Sequence, residues 1–265
     1  MVKTISSLQN PFIKQLIQLK EKSKLRKKTG LFVIEGKREL SLAIKGNYSI
    51  ETLYYYADLF SASEASSLEV YGIDVIEITK VVYEKIAHRE TTEGIIAVAK
   101  AKDLGLKNLE FKSKTPLILV AEAPEKPGNI GALLRTADAA NVDAIIISNP
   151  LTDLYNPNSI RSSVGGVFTV PIATGTTEEI INYLKQHNIS IYAAILQESV
   201  MYDSIDFKKA TAIVVGAEST GLSKEWRDAS TAKIRIPMQG KIDSMNVSVA
   251  AGILIFEAKR QRKFN

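Results

Sequence analysis

Four short stretches in the second half of this 265-residue sequence combine polar side chains with glycines that let a backbone approach a ligand closely. Segment 236–258, IPMQGKIDSMNVSVAAGILIFEA, sets Met245, Asn246 and Ser248 at the mouth of an amphipathic helix. A core helix has no need of an asparagine there; a site that admits a flat ligand or a second backbone does. In PGNIGALLRTADA, residues 127–139, Gly128 and Gly131 permit a tight turn and Asn129 is placed to cap a helix. Arg135 falls four residues beyond Gly131, on the same helix face. Alone, this stretch reads more simply as a capped helix with a surface arginine. In VVGAESTGLS, residues 214–223, Gly216 stands at a strand end with the Glu218 carboxylate close by. Gly216 and Gly221 match the outer spacing of a phosphate-binding loop, but Leu222 stands where its lysine belongs. An ordinary strand-to-helix turn fits equally. RSSVGGVF, residues 161–168, offers Arg161, Ser162 and paired glycines, suited to holding an anion or to stopping a helix.

Other chemistries fare worse. The sequence has no cysteine, which removes disulfides, thiol nucleophiles and thiolate metal sites. His88 and His187 are the only histidines, so a zinc enzyme is disfavoured and no metal is expected. No GxSxG or GxGxxG occurs, which speaks against a serine hydrolase and a dinucleotide-binding enzyme. No stretch is long and apolar enough to span a bilayer, and the N-terminus lacks a secretory apolar core; the expected compartment is the cytoplasm. Residues 1–40 hold ten Lys or Arg against three acids, +7 of a total of +5, so the remainder sums to −2. A basic end on a near-neutral body points to a polyanionic partner, with Lys24, Arg26, Lys27 and Lys28 as its densest run; a solvated helix face is the competing reading.

The elements that must position these residues fall into two α/β series. Residues 1–104 read as a helix after Asn10-Pro11, a break at LRKKTG, then strands LFVIEG, TLYYY, DVIEI and GIIAVA interleaved with helices. Residues 105–115 lose apolar periodicity and read as a linker. Residues 116–265 alternate strands LILVAEA, AIIIS, SIYAAIL, AIVVGAE and KIRIPM with helices, the pattern of a mostly parallel sheet covered on both faces. Ligands on such sheets bind at the carboxyl ends of strands, where the four stretches fall.

In order, PGNIGALLRTADA, VVGAESTGLS and IPMQGKIDSMNVSVAAGILIFEA resemble the motifs of the SpoU/TrmH branch of the SPOUT RNA methyltransferases, over about residues 116–260. The first hundred residues resemble the small α/β RNA substrate-binding domain often attached to this branch. The resemblance implies a C-terminal α/β fold with a deep trefoil knot, in which the last segment threads a loop. It implies S-adenosylmethionine as cofactor, bound by Leu196, Val215, Gly216, Ala217, Ile236, Met238, Met245 and Val247. It implies transfer of a methyl group to a ribose 2′-hydroxyl, with Arg135, Asn129, Glu218, Ser244 and Asn246 as the catalytic set. Arg161 and Ser162, with the basic run, would bind RNA. Ribosomal RNA is the favoured substrate, ahead of transfer RNA; a catalytically idle RNA-binding protein is the further alternative. Relatives often carry Ser-x-Gly-Ala where this chain has Ser163-Val164-Gly165-Gly166, and glutamine where it has Glu93. The family's typical homodimer, built on the knot region and last helix, is a further implication.

Overall fold

Uninterrupted aliphatic and β-branched runs such as Leu117–Glu122 and Thr211–Val215 form strands that are buried along their whole length in the computed structural model. The structure describes residues 3–87, 93–217, 219–242 and 244–264. In chain order the first elements are β1 (Lys3–Ile5), α1 (Pro11–Glu21), α2 (Ser23–Thr29), β2 (Leu31–Glu35) and α3 (Lys37–Lys45). β3 (Ile50–Tyr55), α4 (Ala62–Ser67), β4 (Asp74–Ile78), α5 (Lys80–Ile86) and β5 (Ile95–Lys100) follow. Next come β6 (Leu117–Glu122), α6 (Pro127–Ala139), β7 (Ala144–Ser148), α7 (Pro157–Ser162), β8 (Ile172–Gly175) and α8 (Thr177–Gln186). The chain closes with β9 (Ser190–Ala194), β10 (Val200–Met201), β11 (Thr211–Val215), α9 (Lys224–Ala229), β12 (Ala232–Arg235) and α10 (Val247–Gln261).

Two units result. The first comprises Met1–Lys102 and Leu154–Thr169, the second Asp103–Asp153 and Val170–Asn265. The first unit carries a mixed five-stranded sheet in the order β1-β4-β3-β5-β2, with β5 antiparallel to both its neighbours. Ile13, Leu16 and Leu19 line the buried side of α1 at helical spacing and pack with Ile76, Ile78, Ile96 and Val98 of the sheet. Asn10 caps α1, its side chain accepting from the Phe12 amide at 2.9 Å, with Pro11 pre-set for the first turn.

The break expected at LRKKTG is a second helix, α2, which runs to Thr29 and stops at Gly30, φ 67°. Arg26 explains the tight junction. It is 4% exposed and donates to the carbonyls of Leu19 and Lys20 at 2.6 and 3.1 Å. These are C-terminal carbonyls of α1, which lack partners within the helix and favour a nearby cation.

Segment 154–169 joins this unit, although it lies in sequence between β7 and β8 of the other. Tyr155 stacks on Phe32 with ring centroids 4.4 Å apart, and Phe168 meets Tyr48 edge-on at 5.1 Å. A side chain at Gly165 would strike Leu42, and one at Gly46 would meet the Phe168 carbonyl oxygen at 2.3 Å. Backbone thus rests directly on backbone here.

The second unit has a seven-stranded sheet in the order β10-β12-β9-β11-β6-β7-β8, every pair parallel. Alternate residues serve its two faces. Ile118, Val120, Ile191, Ala193, Ala212 and Val214 pack with Ile180 and Leu184 of α8 and Trp226 of α9. Their neighbours in sequence face the side where α10 packs on α6, β11 and β6. Residues 105–115, expected as a linker, begin with a one-turn helix at Leu106–Asn108, and Leu106, Leu109 and Phe111 pack on this unit's core. No helix among the described residues is long and apolar enough to cross a membrane.

Candidate functional site

At the carboxyl ends of three adjacent strands, β12, β9 and β11, the second unit opens a cleft of about 680 Å³. Three loops form it: 194–197 after β9, 215–222 after β11, and 234–247 after β12, with Ala250 of α10 closing one end. The volume lies within the ordinary range for a small-molecule site, and the lining is mostly apolar with a few polar groups.

Glycine lets the 215–222 loop fold back tightly on itself. A Cβ on Gly216 would stand 2.3 Å from the Gly221 carbonyl carbon and 2.5 Å from the Leu222 nitrogen, so no side chain fits. Gly221 itself has φ 67°, a left-handed conformation that glycine adopts without strain. Ala217 and Gly221 form an isolated bridge, and Leu222 is buried behind the loop.

All eight residues expected to hold the cofactor line this one cleft: Leu196 in the first loop, Val215, Gly216 and Ala217 in the second, and Ile236, Met238, Met245 and Val247 in the third. Of the expected catalytic set, Ser244 and Asn246 also line it. Asn129 is reached through Asn246, whose Nδ2 donates to the Asn129 Oδ1 at 3.3 Å. Glu218 lies outside the described residues. Arg135 is exposed on α6, outside the cleft lining, and has no hydrogen-bond or ion-pair partner among the described residues.

The two asparagines exchange the roles that the sequence suggested. Asn129 does not cap α6: the helix starts at Pro127, the cap position is Lys126, and Asn129 sits in the first turn. Proline fixes the helical φ and has no amide to satisfy, so it sets the start three residues earlier. Asn246 is the cap. Its side chain accepts from the Ser248 amide at 2.9 Å and opens α10. One residue therefore starts α10, lines the cleft and contacts α6.

Among the residues expected to meet RNA, Lys24, Lys27 and Lys28 are exposed on α2. Arg26 is a correction: its guanidinium is buried and engaged by the α1 carbonyls, which withdraws it from that surface. Arg161 is exposed on α7 and donates to the Asn158 Oδ1 at 2.8 Å. Ser162 directs its hydroxyl at the Asn158 carbonyl, 2.6 Å away, so that proton serves the helix. Val164 follows with φ 54°, unusual for a β-branched residue, and Gly165 with φ 85°. RSSVGG is thus a helix stop, and it carries an exposed arginine.

Sequence reasoning missed four polar residues of the cleft, Gln197, Thr220, Arg227 and Arg235. Arg235 stands immediately before Ile236 and donates to the Ser199 carbonyl, tying β12 to the segment after β9. Arg227 donates its Nε–H to the Leu222 carbonyl at 3.0 Å, bracing the second loop from α9. Neither lies in a recognisable spacing. At the far end of α10, Arg262 donates to the carbonyls of Thr115, Phe207 and Lys209. Burial pulls that guanidinium below its ordinary value, although it stays charged near neutrality.

An all-parallel α/β sheet with a ligand cleft at the carboxyl ends of adjacent strands defines the class: a small-molecule-binding α/β domain, here joined to a second unit with a basic helix. Comparison with known proteins narrows it. The sequence model of the SpoU rRNA Methylase family matches residues 116–256, and that of the MRM3-like substrate binding domain matches residues 10–97. The chain is 27% identical over 97% of its length to the whole of the 23S rRNA (guanosine(2553)-2'-O)-methyltransferase RlmP of Bacillus subtilis. Among solved structures, an RNA 2'-O ribose methyltransferase is 36% identical, with a TM-score of 0.82, over 98% of this chain and 99% of that one. An AdoMet-bound rRNA methyltransferase from Sinorhizobium meliloti is 31% identical, with a TM-score of 0.90, over 98% of both chains. The chain belongs to the SpoU rRNA methylase family.

Proposed function

We propose that the cleft binds S-adenosylmethionine and that the protein transfers its methyl group to a ribose 2′-hydroxyl of ribosomal RNA. The observation that carries this reading is the gathering of eight residues expected to hold the cofactor, seven from two motifs and Leu196 from a third stretch, into one cleft at the ends of β9, β11 and β12. The cleft fits the cofactor on its own terms. Gly216 lets the loop wall fold tightly against Gly221, and Ile236, Met245 and Val247 offer apolar surface for an adenine and a thioether-like chain. An AdoMet-bound relative with 31% identity supports the same assignment.

The bound sulfonium would supply an electrophilic methyl carbon. The protein's part is to place a poor nucleophile in line with it and to draw off its proton. Ser244 and Asn246 line the cleft, and the Asn246–Asn129 bond links them to the start of α6, so this edge would receive the ribose. Arg135 is assigned the adjacent RNA phosphate. A guanidinium with no carboxylate partner among the described residues is available to one, and its charge would favour loss of the hydroxyl proton. It is not itself the base, because a guanidinium does not give up its own proton; the hydroxyl proton passes to the RNA phosphate or to solvent. Glu218 would help hold this arrangement.

RNA would be gripped by Lys24, Lys27 and Lys28 of α2 and by Arg161, carried on the segment that packs with the first unit. A 2′-hydroxyl acceptor requires RNA. Ribosomal RNA is favoured because RlmP, similar over 97% of this chain, is named for 23S rRNA; a ribosomal RNA substrate supports a cytoplasmic location. The C-terminal threading that the motifs imply is supported by the return of α10 onto α6, β11 and β6. A homodimer is supported by Val249 and Phe256, which are exposed, apolar and seven residues apart on α10.

Calorimetry and a transfer assay together test the reading. The wild type binds S-adenosylmethionine, and Arg135→Ala binds it equally but transfers nothing to RNA. Absence of binding by the wild type would overturn the cofactor assignment. Loss of binding in Arg135→Ala would overturn the role given to that arginine.

A further inference from the structure

Glu122 belongs to none of the motifs, yet it is a carboxylate only 6% exposed at the carboxyl end of β6. Carboxylates are rarely buried, and a buried one without full hydrogen bonding is costly. No lysine or arginine pairs with it among the described residues; neutral donors surround it instead. Its Oε2 accepts from the Ser223 amide at 2.8 Å, and its Oε1 from the Thr177 hydroxyl at 3.1 Å. The Thr177 oxygen also meets the Ser148 hydroxyl at 2.8 Å and the Asn149 Nδ2 at 2.9 Å. Since the threonine proton goes to the carboxylate, the serine and asparagine must donate to threonine. Every proton in the network points toward Glu122.

The position of Ser223 gives this network a consequence. It is the first residue after the 215–222 loop and the cap position of α9. The loop leaves β11 at Val215, carries Gly216 against Gly221, and ends where Glu122 holds the Ser223 amide. One wall of the cleft is thus fixed at its near end by the sheet and at its far end by the Glu122 carboxylate, beside the bond from Arg227 to the Leu222 carbonyl. Resting on the cofactor reading above, we infer that Glu122 is a positioning residue that holds this wall in shape for S-adenosylmethionine. A residue serving stability alone has no need of charge, since an apolar side chain in a buried site stabilises as well or better.

Two near-isosteric substitutions separate loop positioning from general support. Glu122→Gln keeps the volume but replaces the charged acceptor at the Ser223 amide with at best a neutral one, and turns an NH2 group toward Thr177 or Ser223. Thr177→Val breaks the other half of the same network and leaves the Ser223 amide bond in place. In calorimetric titration with S-adenosylmethionine, Glu122→Gln weakens binding by about tenfold or more, the scale of losing a hydrogen bond to a charged group. Thr177→Val changes it by less than about threefold, an indirect effect. At saturating S-adenosylmethionine the KM for RNA is unchanged in both. Equal losses in the two variants, or cofactor affinity unchanged in a folded Glu122→Gln, overturn the inference. Hydrogen exchange on the wild type without cofactor gives an independent reading. The Ser223 amide is protected while the Ser219 and Thr220 amides exchange freely; fast exchange at Ser223 would also overturn the inference. If the wild type binds no S-adenosylmethionine while Ser223 is protected, the cofactor reading fails rather than the tether.

Discussion

Asn246 joins structure to chemistry, and replacing it in two ways separates them. Its Oδ1 caps α10 by accepting from the Ser248 amide at 2.9 Å, while its Nδ2 donates to Asn129 at 3.3 Å. Asn246→Ala removes both. Loss of such a cap costs about 1 kcal/mol, which for a chain of this size lowers Tm by about 2–4 °C. Asn246→Asp keeps the acceptor and adds negative charge at the positive end of a fifteen-residue helix, a gain of about 0.3–1 kcal/mol. It cannot donate to Asn129. Thermal unfolding should therefore rank the aspartate variant at or above wild type and the alanine variant below. Both should lose methyl transfer, by about tenfold or more in kcat/KM, because both lose the donor that orders the ribose side of the cleft. Circular dichroism melts and a labelled-methyl assay measure the two quantities separately. An aspartate variant with full activity would refute the part given to the donor. One that melts with the alanine variant would refute the capping argument.

Four further outcomes follow. Gly216→Ala should abolish S-adenosylmethionine binding in calorimetry, because its Cβ would lie 2.3 Å from the Gly221 backbone. Replacing Lys24, Lys27 and Lys28 together with alanine should weaken RNA binding and flatten its logarithmic salt dependence by about two, at roughly 0.7 per phosphate contact on single strands. Arg26→Ala should instead lower Tm, since it strips two carbonyls of a buried partner. Val249→Glu with Phe256→Glu should shift the protein to a monomer in light scattering, the expected result if α10 forms the dimer face.

Much of the second unit is legible in sequence, and the reasons are local. LILVAE, AIIIS and TAIVV can only be strands buried on both faces, and the helices between them repeat apolar residues at helical spacing. β8 and β10 escape notice because Ile172–Gly175 and Val200–Met201 are short and only partly buried. The cleft is legible as two motifs and the stretch at Leu196 but not as a shape, since Arg227 and Arg235 enter it through strand order and helix docking that no spacing encodes. Arg26 misleads for a similar reason. A run of four cations reads as one surface until tertiary packing turns one of them inward. The placement of segment 154–169 with the first unit was equally hidden, because Tyr155 and Phe168 look like core residues of whichever unit surrounds them.

The most direct measurement follows the methyl group itself. Ribosomal RNA stripped of protein is incubated with the enzyme and methyl-labelled S-adenosylmethionine, then hydrolysed in alkali. A methylated 2′-oxygen cannot attack the neighbouring phosphodiester, so the label is expected in alkali-resistant dinucleotides and absent when Arg135→Ala replaces the wild type. Label released as mononucleotides would place the methyl on a base and contradict ribose methylation.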